Sequence, residues 1–116
     1  MATGNELGTI VFLGESGKKY TFYAYTLGTS FKNEGGVYVF TRRHQNSNGG
    51  YTFDLLYIGQ ADKLGARVNP QHEKWNDALN LGLNSVCAML VNGDQARLDV
   101  ETDLRHYYVK TPLNDQ

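Results

Sequence analysis

The chain has almost no cysteine and no long apolar run. Cys87 is the only cysteine among the 116 residues, so no intramolecular disulfide can form, and a lone thiol favours a reducing compartment. No apolar run approaches the roughly 18 residues that a membrane-spanning helix needs. The N-terminal residues show no charged segment followed by an apolar one, the pattern of a secretory signal. We therefore expect a cytoplasmic protein with no membrane partner.

The sequence also lacks an excess of either charge. The formal net charge is -1, which excludes a strongly basic nucleic-acid-binding chain as a whole. The distribution is uneven, because residues 35–75 carry five basic against three acidic side chains, whereas residues 76–116 carry three basic against six acidic ones. A mixed, solvated surface explains this pattern, and so does a polyanion site in the middle segment with an acidic metal ligand supplied by the last one.

The composition is typical of a single folded domain that contains both helices and strands. The chain is 41% hydrophobic and 12% aromatic, enough to form a core, and no repeat or low-complexity segment appears. β-Branched and aromatic runs predict strands at 9–13, 19–25, 37–41, 51–58 and 86–91. The predicted class is therefore α+β, with a small antiparallel sheet flanked by helices.

Glycine-rich and polar segments between the strands predict the connections. The turn at 14–17 joins an N-terminal hairpin over residues 9–25, and a loop follows at 27–36. The second hairpin has a long, basic loop at 42–50, and Gly59 ends its second strand. The short N-terminal hairpin either extends the sheet or covers one of its edges.

Three helical segments are expected. A short turn at 61–67 comes first. Asn69 as N-cap and Pro70 at the first helical position predict a helix to about residue 81, with Trp75 and Leu79 on its apolar face. Asp94 is the predicted cap of a last helix that ends near residue 108. Leu98, Glu101, Leu104 and Tyr108 are expected near one face of that helix.

Several chemistry-bearing residues stand in a characteristic order. Gly36-Val37-Tyr38 opens one predicted strand, Tyr57-Ile58-Gly59 closes the next, and Arg67 follows Tyr57 by ten residues. Glu101 lies in the last helix with Leu104 three residues on, and Pro112-Leu113-Asn114 comes after it. This ordered set over residues 35–116 resembles the GIY-YIG nuclease superfamily, which includes homing endonucleases and the nuclease domain of the excinuclease C subunit.

The resemblance implies metal-assisted hydrolysis of a phosphodiester bond. Tyr57 would be the general base or would position the attacking water, and Tyr38 would hydrogen-bond to Tyr57 or to that water. Arg67 would bind phosphate oxygens. Glu101 would hold Mg²⁺ or Mn²⁺, because a hard cation that keeps several waters needs few protein oxygens. Asn114 would brace the site from the tail.

The resemblance also implies an organisation and a set of partners. Residues 1–34 would be an N-terminal hairpin extension packed on a nuclease domain of residues 35–116, within a single structural domain. The substrate would be nucleic acid, DNA in the first instance, including branched or nicked DNA of the kind met in repair. A domain of this size would need a protein targeting partner or a homodimer for useful affinity. The basic residues expected to contact the backbone are Arg42, Arg43, Lys63 and Lys74.

The chain departs from the family pattern at three points, one of which is Gln60, where some members have a lysine just after the second motif. Tyr38 and Tyr57 are 19 residues apart, a longer spacing than usual, and the extra length is the 42–50 loop. The family often has a histidine or tyrosine four residues after the arginine, whereas here that position is Gln71 and His72 is the next residue. His72 is a catalytic candidate if Pro70 accommodates one extra residue. It is otherwise a core histidine packed on Trp75.

Three functional hypotheses follow. The first is a metal-dependent nuclease. The second is a catalytically degenerate member of the same fold that binds nucleic acid or a protein without cleavage. The third is an unrelated α+β interaction domain, in which both tyrosines are ordinary strand residues and Glu101 merely pairs with Arg97 or Arg105. The first two require Tyr57, Arg67 and Glu101 to meet at one cleft, whereas the third leaves them scattered.

Overall fold

Ten elements follow one another in residues 2–114, the part of the chain that this computed structural model describes. The last two residues of the predicted 35–116 unit lie outside that part. The strands are β1 (Ala2–Thr3), β2 (Glu6–Leu13), β3 (Lys19–Thr26), β4 (Ser30–Phe31), β5 (Gly36–Gln45), β6 (Tyr51–Ala61) and β7 (Ser85–Leu90). The helices are α1 (Leu64–Arg67), α2 (Trp75–Asn80) and α3 (Asp94–Tyr107). None of these helices is long and apolar enough to cross a membrane.

The main sheet has five antiparallel strands in the order β2-β3-β7-β5-β6, and β1 and β4 pair separately. The predicted α+β class is confirmed. The N-terminal hairpin extends this sheet, because β3 pairs with β7 from Tyr23 opposite Ala88 to Thr26 opposite Ser85. β6 is an edge strand, and the C-terminal tail runs beside it.

Two apolar clusters cover the two faces of the sheet. On the first face Tyr38 and Phe40 of β5 pack with Leu64 of α1 and Trp75 of α2. On the second face Val39 and Ile58 pack with Phe22 and with Leu104 of α3. Alternation along β5 and β6 produces this division, since Val39 lies opposite Ile58 and Phe40 lies opposite Tyr57. Helices α1 and α2 therefore cover one face and α3 covers the other.

The hairpin of β5 and β6 is longer than predicted, and its loop is shorter. Arg42 to Gln45 continue β5, and Gly59 lies inside β6 instead of ending it. The connection is 46–50, where the Asn46 carboxamide oxygen accepts hydrogen bonds from the backbone N–H groups of Asn48 and Gly50. The prediction of a basic loop at 42–50 was wrong because exposed polar side chains in a strand resemble those of a loop.

The predicted start of the second helix at Asn69 was also wrong, since α2 begins only at Trp75, although its end next to residue 81 and the burial of Trp75 agree with the prediction. The Asn69 side chain accepts the N–H of Gln71 at 2.9 Å and donates to the carbonyl of Ala66 at 3.1 Å. It therefore closes α1 instead of opening a helix. Leu79 of α2 is exposed, contrary to expectation.

The last helix begins and ends close to the predicted residues, but its start is built differently. Gly93 is the N-cap and makes no side-chain capping bond, while Asp94 is the first helical residue and pairs with Arg97. The inward face carries Arg97, Leu104 and Tyr108, whereas Leu98 is exposed. The prediction that Leu98 shares the inward face was therefore wrong.

Candidate active site

Four predicted site residues lie together on the first face of the sheet. Tyr38 and Tyr57 stand on neighbouring strands with ring centroids 6.2 Å apart, and the imidazole of His72 packs against both rings, at 5.7 and 5.3 Å. The Arg67 guanidinium lies close enough to the Tyr38 hydroxyl to influence its pKa through charge and a hydrogen bond. We call Tyr38, Tyr57, Arg67 and His72 the tyrosine–arginine cluster.

Gly59 allows this packing, and Gly36 allows a second close approach on the neighbouring strand. A Cβ at residue 59 would come within 2.5 Å of the Tyr38 hydroxyl oxygen and within 2.9 Å of the Tyr57 ring. A Cβ at residue 36 would come within 2.6 Å of the Met89 carbonyl and within 2.9 Å of the Leu64 side chain. Glycine is required at both positions because neighbouring atoms occupy the space that a Cβ would fill. At residue 59 those atoms belong to Tyr38 and Tyr57.

His72 is a hydrogen-bonded member of the cluster, although it lies in the 69–74 turn and not in a helix. Its Nδ1 accepts the backbone N–H of Lys74 at 2.9 Å, so the neutral ring carries its proton on Nε2. Nε2 then donates to the Tyr38 hydroxyl oxygen at 2.7 Å. Both side chains are buried, and that of Tyr38 is fully so, which makes this pair part of the core beneath the surface where a ligand could bind.

The electrostatic environment keeps both groups neutral. Burial is the main cause that raises the pKa of Tyr38, and Tyr57 adds to the rise while Arg67 opposes it. Burial, together with the nearby Arg67 charge, lowers the pKa of His72 to about 4. At neutral pH the pair therefore donates and accepts hydrogen bonds without carrying charge. Tyr38 is too well protonated to serve as a base.

We expect His72 to make the protein less stable in mild acid. Because the unfolded histidine has a pKa near 6.5 and the folded one near 4, the unfolded state binds more protons between those values. Stability is thus fully present above pH 6.5 and falls as the pH drops toward 4, by at most about 3 kcal/mol from this residue. Urea unfolding of wild type and His72→Gln at pH 7 and pH 4.5 measures this effect. An equal loss in both proteins would contradict it.

Arg67 is held by an acidic neighbour that the sequence analysis did not single out. Its Nη1 and Nη2 each donate to a carboxylate oxygen of Glu73 at 2.6 Å. The pair raises the pKa of Arg67 and lowers that of Glu73 to about 2. In the sequence, the only indication of this pair was the turn at Asn69 and Pro70, which brings the following residues back toward Arg67. The guanidinium is therefore preset for a planar, two-oxygen anion.

Asn114 braces the edge strand next to Tyr57. Its carboxamide oxygen accepts the N–H of Ile58, and its amide nitrogen donates to the Ile58 carbonyl, both at 2.8 Å. The N–H of Leu113 adds a bond to the Leu56 carbonyl at 3.0 Å. The tail thus pairs with the outer side of β6 and closes an otherwise open sheet edge.

Glu101 does not lie within the tyrosine–arginine cluster. It is half-buried on α3, which packs on the second face of the sheet and runs beside β6. Burial raises the pKa of its carboxyl group, and Arg105 opposes the rise. The expected meeting of Glu101 with Tyr57 and Arg67 at one cleft is therefore not observed, since Glu101 is not among the residues that line the cleft beside Arg67.

With Glu101 as the predicted ligand, a bound Mg²⁺ would have to take most of its ligands from water and substrate. No three His, Cys, Asp or Glu side chains within residues 2–114 form a group that could hold a metal, so a site built only of protein ligands is not seen there. Mg²⁺ is nevertheless commonly bound by one or two carboxylates together with substrate phosphates. A half-buried carboxylate with a raised pKa, such as that of Glu101, would gain from a nearby cation.

The four basic residues predicted to contact nucleic acid fall in three places. Arg42 and Arg43 lie on β5: Arg42 pairs with Asp54 at 2.9 Å, and Arg43 stacks on the exposed Tyr51 ring at 3.5 Å. Lys74 directly precedes α2, beside the Arg67 pair. Lys63 lines a cleft of about 390 Å³ together with Arg67.

Comparison of the chain with protein-family models, with curated proteins and with solved structures finds no match. Any assignment of function therefore depends on the geometry of the tyrosine–arginine cluster and on the residues at the β6 edge.

Proposed function

We propose that this protein is a metal-dependent endonuclease of the GIY-YIG type that hydrolyses phosphodiester bonds in DNA, including branched or nicked DNA. The observation that carries the proposal is the convergence of Tyr38, Tyr57, Arg67 and His72 on one face of the sheet, with a hydrogen bond of 2.7 Å from His72 to Tyr38. Two tyrosines, an arginine and a histidine are expected to scatter when a motif is coincidental.

Each cluster residue has a role that its surroundings support. Arg67 would exchange the Glu73 carboxylate for the scissile phosphate. The guanidinium would donate two parallel hydrogen bonds to two phosphate oxygens, as it now does to the two carboxylate oxygens of Glu73. Tyr38, fully buried and held by His72, would act as a positioning residue that supports the Tyr57 ring and the Arg67 guanidinium from beneath. Tyr57, which is half-buried at the site, would position the attacking water, and its hydroxyl oxygen would accept the water proton as the hydroxyl releases its own proton to solvent.

Glu101 would hold the divalent cation, Mg²⁺ or Mn²⁺, at the β6 edge. When bound, the cation supplies stabilisation of charge on the leaving oxygen. Asn114 keeps β6 in place beside Tyr57 and acts as a positioning residue.

A second function has support from one specific observation. Arg67 is already neutralised by Glu73, and Glu101 lies on the other side of the sheet from the cluster. These features would suit a catalytically degenerate module that binds nucleic acid or a protein partner without cleavage. The two functions differ in whether phosphate displaces Glu73 and is then hydrolysed.

A cleavage assay tests the proposal. The purified chain would be incubated with end-labelled duplex, nicked, branched and single-stranded DNA and with RNA, in Mg²⁺, in Mn²⁺ and with a chelator. We expect metal-dependent cleavage that the chelator abolishes. No cleavage of any substrate, together with measurable binding, would support the degenerate module instead.

Replacement of the internal counter-ion should strengthen binding. Glu73→Gln removes the charge that competes with phosphate for Arg67, and the lost ion pair is worth about 0–1 kcal/mol because both partners are partly exposed. We therefore expect affinity for a short labelled DNA to rise by up to about five-fold. Asp77→Asn, an equal charge change at an exposed position of α2, is the control. An equal gain in both variants would show only a general charge effect.

A further inference from the structure

The cleft next to the tyrosine–arginine cluster contains a second arginine that the proposed mechanism does not use. Arg97 of α3 lines the same cleft as Lys63 and Arg67, at the junction of α1, the end of β6 and the start of α3. This cleft is where the two faces of the sheet meet. Its charged lining consists of three basic residues, Lys63, Arg67 and Arg97, and two acidic ones, Asp62 and Asp94.

Arg97 is fixed in place by the surrounding chain. Its side chain is only 7% exposed. Nη1 donates to the Val91 carbonyl at 3.1 Å, and Nε donates to the Gln60 carboxamide at 3.3 Å. Close contact with Gly35 leaves no room for a Cβ at that residue. A guanidinium held this way loses little side-chain entropy when it binds a ligand.

The ionic partner of Arg97 is easily replaced. Asp94 pairs with Nη2, but its own side chain is 97% exposed. An ion pair with one fully solvated carboxylate contributes little stability. Arg97 therefore repeats the arrangement at Arg67, where the exposed Glu73 also occupies the position that an anion could take.

The N-terminal end of α3 adds a positive electrostatic potential that favours an anion in the cleft. The helix has 14 residues, and its N-cap Gly93 supplies no side-chain acceptor for the first backbone N–H groups. The positive end of the helix dipole and these N–H groups attract anions. The helix start and the rigid Arg97 side chain both lie at the cleft that Arg67 also lines.

We infer that Lys63 and Arg97 bind the backbone phosphate that neighbours the one held by Arg67. The ligand is a phosphodiester strand that passes the end of β6, from Arg67 to the start of α3. This inference deepens the proposed function, on which it rests, and names how the substrate strand is oriented.

Binding measured in chelator tests the inference without cleavage. The probe is a short fluorescein-labelled DNA, single-stranded or duplex, titrated with protein at several salt concentrations and followed by fluorescence anisotropy. Arg97→Gln should weaken binding and reduce the slope of log K against log salt by about 0.7–0.9, the loss of one phosphate contact. Arg105→Gln, an equal charge change two turns further along α3, is the control and should leave the slope nearly unchanged.

Asp94→Asn keeps the test decisive if Arg97→Gln fails to fold. It removes the exposed counter-charge, so affinity should rise by about two- to five-fold, as expected for loss of a weak ion pair. Asp99→Asn, on the exposed face of the same helix, should have much less effect. Equal affinities for Asp94→Asn and Asp99→Asn, or no binding of the probe by wild type, would overturn the inference. Failure of cleavage with this binding pattern intact would count against the proposed nuclease activity alone.

Discussion

Glu101→Gln should abolish cleavage while leaving the protein at least as stable as wild type. The loss of the carboxylate proposed to hold the cation should lower kcat by about 10²–10³-fold or more, the usual cost of removing one electrostatic stabiliser of a transition state. The stability expectation follows from the direction of the pKa. Burial raises the pKa of Glu101, so its ionised form is disfavoured in the folded state.

The sign of this stability effect can be checked by pH. An acid whose pKa is higher in the folded than in the unfolded state reduces stability as the pH rises through that interval. Wild type should therefore gain stability relative to Glu101→Gln as the pH falls from 7 to below the ordinary glutamate pKa. Thermal unfolding at both pH values measures the difference. A residue with a purely structural role would instead lose stability on substitution at pH 7.

Asp99→Asn is the matched control for this variant. Asp99 lies on the same helix, two residues earlier, on its exposed face, where it accepts a hydrogen bond from Gln95 at 2.8 Å. The substitution removes the same charge from α3 without touching the β6 edge. Cleavage by Asp99→Asn should match wild type. Unchanged cleavage by Glu101→Gln would rule out the proposed role of Glu101.

Local sequence patterns predicted most of the sheet and the positions of the two tyrosines. The turn at 14–17 and the alternation around it predicted the first hairpin, and the apolar run at 86–91 predicted β7, in both cases from neighbouring residues. Tyr38 and Tyr57 were expected on paired strands, and they lie there on the same face. Asn114 was expected to brace the site, and its carboxamide contacts the strand that carries Tyr57.

The features that could not be predicted depend on contacts between distant segments. β7 inserts between β3 and β5, an order that no local pattern contains. The side of the sheet on which α3 packs also placed Glu101 apart from Tyr57. The Arg67–Glu73 pair arises because the Asn69 side chain stops α1 and reverses the chain, although the same Asn-Pro pair is typical of a helix start. Rules based on neighbouring residues fail here, because the Asn69 side chain can bond either to the end of the preceding helix or to the start of a following one.

Arg67→Ala should lower catalysis far more than binding. A guanidinium that already meets Glu73 through two parallel bonds is shaped for two phosphate oxygens, and charge on those oxygens grows in the transition state. We expect kcat to fall by about 10²–10³-fold, while KM rises much less. The fold should survive, because the pair that is lost is partly exposed on both sides and worth about 0–1 kcal/mol.

Arg67→Lys separates charge from geometry. Lysine keeps the positive charge but cannot make two parallel bonds to one anion, so it should recover only a minor part of the lost activity. The control is Arg42→Lys, because Arg42 is also paired with a carboxylate, that of Asp54, but lies outside the tyrosine–arginine cluster. Steady-state kinetics on the best-cleaved substrate would separate kcat from KM for each variant. A loss confined to KM in Arg67→Ala would show that Arg67 only captures the strand. Full activity in Arg67→Lys would show that charge alone suffices, and either result would remove the bidentate phosphate contact from the mechanism.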